Sequence, residues 1–179
     1  MKMKKGLILL GVFGFLGWFV WSCGSVVSYS EIPEIHFKSL VFEDRVESES
    51  SVTRYAVLTF SFIDGDGDIG ASSQDKDTIS RIHYTWYKKL ADKYEPFQFA
   101  SGIIADSTAI PYEDVMNKEE ANNKTLKGTI EIALFPPSKP QGIDTMRVEF
   151  YIVDRARNKS NIDYTSDFSI LNPPFTSIP

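Results

Sequence analysis

From Ile35 to Leu171 apolar residues recur at every second position in short runs, the period of a strand with one buried face. The clearest run is Tyr55 to Ile63, where Ala56, Leu58, Phe60 and Phe62 share an apolar face opposite Tyr55, Val57, Thr59, Ser61 and Ile63. Arg81 to Lys88 sets Ile82, Tyr84 and Trp86 against His83, Thr85 and Tyr87, and a short strand is expected over Phe97 to Phe99. Leu126, Gly128, Ile130, Ile132 and Leu134 face one way, as do Met146, Val148, Phe150 and Ile152 within Asp144 to Asp154. Ile35, Phe37 and then Leu40 to Phe42 open the series, and Thr165 to Leu171 closes it. Helical periodicity is weak throughout, the best candidate being a turn or two over Tyr112 to Asn123 after Pro111. Short strands separated by turn residues predict a single all-β domain over 34–171, an immunoglobulin-like antiparallel β-sandwich of about seven strands. An open barrel is the alternative.

The amino-terminal pattern is different. Lys2, Lys4 and Lys5 precede an apolar run from Gly6 to Trp21 that ends at Ser22 and Cys23, the order of a secretory signal. This segment resembles a bacterial lipoprotein signal, with Val20, Trp21 and Ser22 standing where that family's cleavage box lies before the cysteine. The resemblance implies a signal peptide over 1–22, lipidation of Cys23, and a membrane anchored through that lipid. An uncleaved spanning helix is the competing reading, but Gly6 to Val20 falls short of the ~20 apolar residues a span requires. Residues 23–33 lack periodicity and read as a tether; Gly24 to Ile32 reaches at most about 30 Å when extended. Lipoproteins of Bacteroidota that reach the cell surface carry acidic residues soon after the cysteine. Here the first is Glu31, so the resemblance favours the periplasmic face of the outer membrane. The Pro-rich end, 172–179, reads as a frayed tail.

Composition narrows the chemistry further. The chain has one cysteine, two histidines and a net charge of -5 over 179 residues. Cys23, His36 and His83 cannot furnish a zinc site, and Cys23 is already consumed by the anchor. Loss of Lys2, Lys4 and Lys5 with the signal makes the remainder more acidic still. No basic cluster is present to neutralise a phosphate backbone, so nucleic acid is not an expected partner.

The most specific internal motif is Asp64, Gly65, Asp66, Gly67, Asp68, Ile69, Gly70, directly after the second strand. Three carboxylates at alternate positions of a glycine-rich turn can converge on a hard cation that takes six to eight oxygens, and calcium is the natural candidate. The spacing is similar to the start of a helix-loop-helix calcium loop, but Ile69 holds the place where that family requires glycine, and strands flank the motif. A second polar turn, Asp154 to Asn161, follows the penultimate strand, and in a seven-strand sandwich these two loops share a pole. Asp154 and Asn158 are therefore expected to complete a calcium site begun by Asp64, Asp66 and Asp68. Both segments read equally as plain turns, because Asp, Asn and Gly supply turn geometry unaided, with Arg155 and Arg157 neutralising the aspartates.

Taken together, the two motifs resemble those of a group of uncharacterised Bacteroidota lipoproteins, in which a phenylalanine-rich strand leads into DGDGDIG and a later strand ends in an aspartate-arginine-alanine-glycine-asparagine turn. Phe60, Phe62 and Asp64 to Gly70 match the first motif; Asp154, Arg155, Ala156 and Asn158 match the second, with Arg157 in the place of the glycine. The resemblance implies an immunoglobulin-like lipoprotein and no particular activity.

No nucleophile stands beside a base at a spacing that supports catalysis. His36 and His83 read as strand-face residues, and Glu113, Asp114, Glu119 and Glu120 as a solvated acidic loop. The chain is expected to be non-enzymatic, an interaction or structural subunit of an envelope complex that docks on a protein partner through a sheet edge or the Ala100 to Asn123 loop. The alternative is a free-standing carbohydrate- or protein-binding lipoprotein, adhesin-like. In that reading Tyr87 and Tyr94 would be the ligand-binding aromatics, because Trp86 suits the core of a sandwich.

Overall fold

A computed structural model describes residues 28–70, 81–110, 125–138 and 142–175. The signal segment, Cys23 and the turn expected over Tyr112 to Asn123 lie outside the described residues.

Alternation folds as expected into two antiparallel sheets around one core. The first sheet joins β1 (Glu34–Ser48), β2 (Ser51–Asp64) and β6 (Leu126–Leu134) in the order β1-β2-β6. In the second, β3 (Arg81–Leu90) pairs β7 (Thr145–Val153) along most of its length. The far edge of β3 carries β4 (Lys93–Pro96) and β5 (Ala105–Ala109), while β7 carries β8 (Asp163–Tyr164) and β9 (Phe168–Ser169). The protein is an all-β sandwich, and no helix appears among the described residues.

The apolar faces read from β2, β3 and β7 are buried: Leu58, Phe60 and Phe62 of β2 look across to Trp86 of β3 and to Val148, Phe150 and Ile152 of β7. The rings of Phe60 and Phe150, 5.3 Å apart and tilted by 48°, join the sheets at their middle. Burying each such side chain contributes about 1.5–3 kcal/mol, enough for a domain without a disulfide to rest on its core.

Three departures from the sequence pattern have local causes. In β1 the buried set changes from odd to even positions, Ile35 and then Leu40 and Phe42, because a bulge between Phe37 and Ser39 inserts one residue and re-aims the strand. The β1–β2 hairpin also runs well past the expected limits at Phe42 and Tyr55. Its outer arm has no apolar face and is held by polar cross-strand pairs, Arg54 to Asp44 at 2.7 and 2.8 Å and Tyr55 Oη to Glu47 at 3.0 Å. The strand expected over Phe97 to Phe99 is displaced to Lys93–Pro96. Phe97 and Phe99 leave the ladder and pack edge to face on the core instead, with Phe97 N–H donating to Trp86 O at 2.7 Å.

The outward edge of β1 is occupied at several points. Ile35 exchanges two hydrogen bonds with the Asn161 side chain, N–H to Oδ1 at 2.8 Å and Nδ2 to the carbonyl at 2.9 Å. Phe37 N–H donates to Asp163 Oδ2 at 2.6 Å. The start of the Pro-rich tail docks rather than fraying as expected: Phe42 N–H donates to Pro174 O at 2.7 Å, and Phe175 sits between the Phe42 ring and the Arg54 guanidinium.

Candidate metal centre

Asp64 is the last residue of β2 and Asp154 the first after β7, so strands from different sheets deliver two carboxylates to one pole. Asp66 and Asp68 follow on a turn in which Gly67 and Gly70 take φ values of 70° and 103°, a conformation that side-chain-bearing residues rarely adopt. One oxygen from each of Asp64, Asp66, Asp68 and Asp154 lies within 4.8 Å of the others. Asp64 is 0% and Asp154 3% exposed.

Hydrogen bonds hold the two loops together around these carboxylates. Asp68 N–H donates to Asp64 Oδ2 at 2.9 Å, and Ala156 N–H donates to Asp68 Oδ2 at 2.8 Å. Arg155 Nε donates to the main-chain oxygen of Asp68 at 2.8 Å. Asn158 steadies Asp154 twice, its N–H donating to Oδ1 at 2.7 Å and its Nδ2 to Oδ2 at 2.9 Å. The structure thus brings together all five residues expected at this pole, with the Asn158 amide nitrogen turned to Asp154 and to the main chain of Glu31.

Two oxygens in this cluster, Asp64 Oδ1 and Asp66 Oδ1, are buried and accept no hydrogen bond. Among the described residues no Lys, Arg or His forms an ion pair with Asp64, Asp66 or Asp154. Burial, reinforced by the Asp66 carboxylate, pushes the Asp64 carboxyl up to about 7. Burial likewise raises Asp68, with Asp154 adding to it. Carboxylates gathered out of water with unsatisfied oxygens are costly unless a cation joins them. A hard oxygen donor set of this kind fits a metal ion of the calcium or magnesium type, and the cluster can hold one.

Arg157 stands in the second turn in a conformation unusual for its residue type. Its φ is 72°, the left-handed conformation that a glycine adopts freely, so the turn keeps its geometry at the cost of strain in an L-residue.

The other sequence candidates do not assemble into a second site of the kind expected. Tyr87 and Tyr94 are half-buried and turned onto Arg147, whose guanidinium carbon lies 5.8 and 3.6 Å from their ring centres, with Tyr164 at 4.3 Å. Tyr94 Oη also donates to Asp167 at 2.6–2.7 Å. Tyr84 and Trp86 belong to the core. These aromatics therefore form no exposed platform. His36 is exposed beside Glu34 at 3.0 Å, and His83 stacks on Tyr151 at 4.9 Å.

Sequence reasoning missed a cavity of about 150 Å³ beside β5, lined chiefly by Trp86, Phe99, Ile103, Ile104, Asp106 and Phe135. Ile103, Ile104 and Phe135 are exposed at it, and Asp106 accepts a hydrogen bond from Tyr84 Oη at 3.0 Å. The only signal in the chain is the pair Ile103–Ile104 within an otherwise small and polar stretch.

A scan against protein-family models matches none, and a search of curated proteins finds no match.

Proposed function

We propose that this chain is a non-enzymatic, calcium-binding interaction domain, tethered by lipidated Cys23 to the periplasmic face of the outer membrane as a subunit of an envelope complex. The observation that carries the reading is the buried cluster of Asp64, Asp66, Asp68 and Asp154 with its two unsatisfied oxygens. Calcium is preferred over magnesium because the donors come from a glycine-rich turn and two strand ends, and calcium tolerates irregular geometry whereas magnesium requires a near-ideal octahedron. The cation would act structurally. It joins the end of β2 to the end of β7 and so clamps one sheet to the other.

The strand order β1-β2-β6 facing a β3-β7 pair, each with antiparallel partners, supports the immunoglobulin-like reading of the sandwich. A non-catalytic role is supported by the placement of both histidines, one exposed beside a glutamate and one stacked on a tyrosine. Tethering and location rest on the amino-terminal pattern. The second reading, a free-standing binder of carbohydrate or protein, is favoured by the cavity beside β5 and the exposed Ile103, Ile104 and Phe135 around it.

Calcium titration of the full chain in detergent, followed by calorimetry, tests the site: one saturable event abolished in Asp64→Ala is expected, and no heat beyond dilution refutes it. Affinity recovery of the lipidated protein from its native membranes tests the assembly role. A stoichiometric protein partner is expected; recovery of the chain alone moves the weight to the free-standing binder.

A further inference from the structure

Both loops that supply the carboxylates also hold the segment through which the chain enters the domain. Gly65 lies between Asp64 and Asp66, and its N–H donates to Ser30 O at 2.8 Å. A Cβ at this position would stand 2.4 Å from Ser30 O and 2.5 Å from Tyr29 O, so the approach is open to glycine alone. On the other loop Asn158, fixed to Asp154 by two hydrogen bonds, extends the same Nδ2 to Glu31 O at 3.3 Å. The ring of Tyr29 lies under Lys127 Nζ at 3.7 Å, and Pro33 is buried. Tyr29 to Glu31 thus bridges the two walls of the acidic cluster.

The two arrangements respond to one coordinate, the separation of the loops. Without a cation, four carboxylates within 4.8 Å repel and favour parting of the Asp64–Asp68 turn from the Asp154–Asn158 turn. Parting moves Gly65 away from Asn158, and residues 29–31 cannot then keep both contacts. A bound cation draws the loops together and restores the seat.

We propose that calcium at Asp64, Asp66, Asp68 and Asp154 locks Tyr29 to Glu31 onto the pole. Occupancy then determines whether the domain stands stiffly on its tether or swings from it. The proposal rests on the calcium reading above and extends it to the coupling between the site and the amino-terminal segment. Because coupling free energies are reciprocal, docking of the segment must in turn strengthen calcium binding by the same factor.

Two measurements on the full chain in detergent test this. Calcium binding is read by calorimetry with calcium chloride, and deuterium uptake is read on the peptide spanning Ser28 to Ile35, in calcium and in chelator. Uptake in that peptide is expected to slow at least about tenfold in calcium, as local opening is suppressed. Tyr29→Ala touches no carboxylate yet is expected to weaken calcium binding about fivefold, the lower end of typical coupling. Calcium that binds without changing uptake in this peptide overturns the coupling and leaves the calcium site standing, as does an unchanged affinity in Tyr29→Ala. Absence of calcium binding overturns both.

Discussion

Arg147 near the start of β7 and Asp154 just beyond its end are charged groups drawn in from water roughly 23 Å apart along the same strand. Around Arg147 the chain supplies its own answer. Three tyrosine rings surround the guanidinium. Burial, reinforced by the nearby Glu149 carboxylate, raises the hydroxyls of Tyr87 and Tyr164, and the third tyrosine donates to Asp167, whose carboxyl Tyr94, Lys89 and Arg147 hold below its usual range despite the opposing effect of burial. Both signs of charge meet there, Lys89 pairing with Asp167 at 3.1 Å and Arg147 acting on the same carboxylate, although Arg147 Nε itself is buried without a hydrogen-bond partner. At the other end four carboxylates meet with, among the described residues, no lysine or arginine paired to Asp64, Asp66 or Asp154, and two oxygens accept nothing. The two regions differ in charge balance rather than in burial or polarity, since both are partly buried and polar. A cluster whose charge does not close internally points to something outside the chain.

That contrast can be broken in solution. Chelating calcium should destabilise the acidic pole by about 2.7 kcal/mol relative to a free concentration one hundred times the dissociation constant. In thermal unfolding this is a fall of roughly 5–10 °C, and coincident curves in calcium and chelator would remove the distinction between the two regions. Arg147→Ala should cost about 2 kcal/mol through three lost cation–π contacts, by the same amount with and without calcium. A calcium-dependent loss would mean that the two ends of β7 are not independent. Asp66→Ala should lower stability by roughly 1.5 kcal/mol in calcium and be neutral or stabilising in chelator, where it relieves repulsion. Equal losses in the two buffers would mark the motif as a turn only. Smallest is Arg157→Gly, expected to stabilise by about 0.5–1 kcal/mol by relieving the left-handed strain, measurable from the shift of a urea midpoint.

The sandwich was legible wherever burial imposes a period of two, as in β2, β3, β6 and β7, because a strand with one dry face must repeat its apolar residues at alternate positions. The outer arm of the hairpin was not, since Glu43 to Tyr55 has polar partners on both faces and nothing to alternate. The sequence Ala105 to Ala109 gave no sign of β5, for its residues are small and its pairing depends on β3 alone. The acidic site was legible to a greater depth. Spacing placed Asp64, Asp66 and Asp68 on one turn, and strand order brought Asp154 to them across the core. What no pattern carried was the docking of Tyr29 and Ser30 at Gly65, which depends on two loops meeting in space, and the seating of Pro174 and Phe175 on β1.

β1 is the outermost strand of its sheet, and such a strand presents donors and acceptors that another chain can extend into a continuous ladder. Along this one the donors of Ile35, Phe37 and Phe42 are already taken by Asn161, Asp163 and Pro174. The side chains and tail that look like trimmings at the sheet margin thus occupy donors through which one molecule could otherwise template the next.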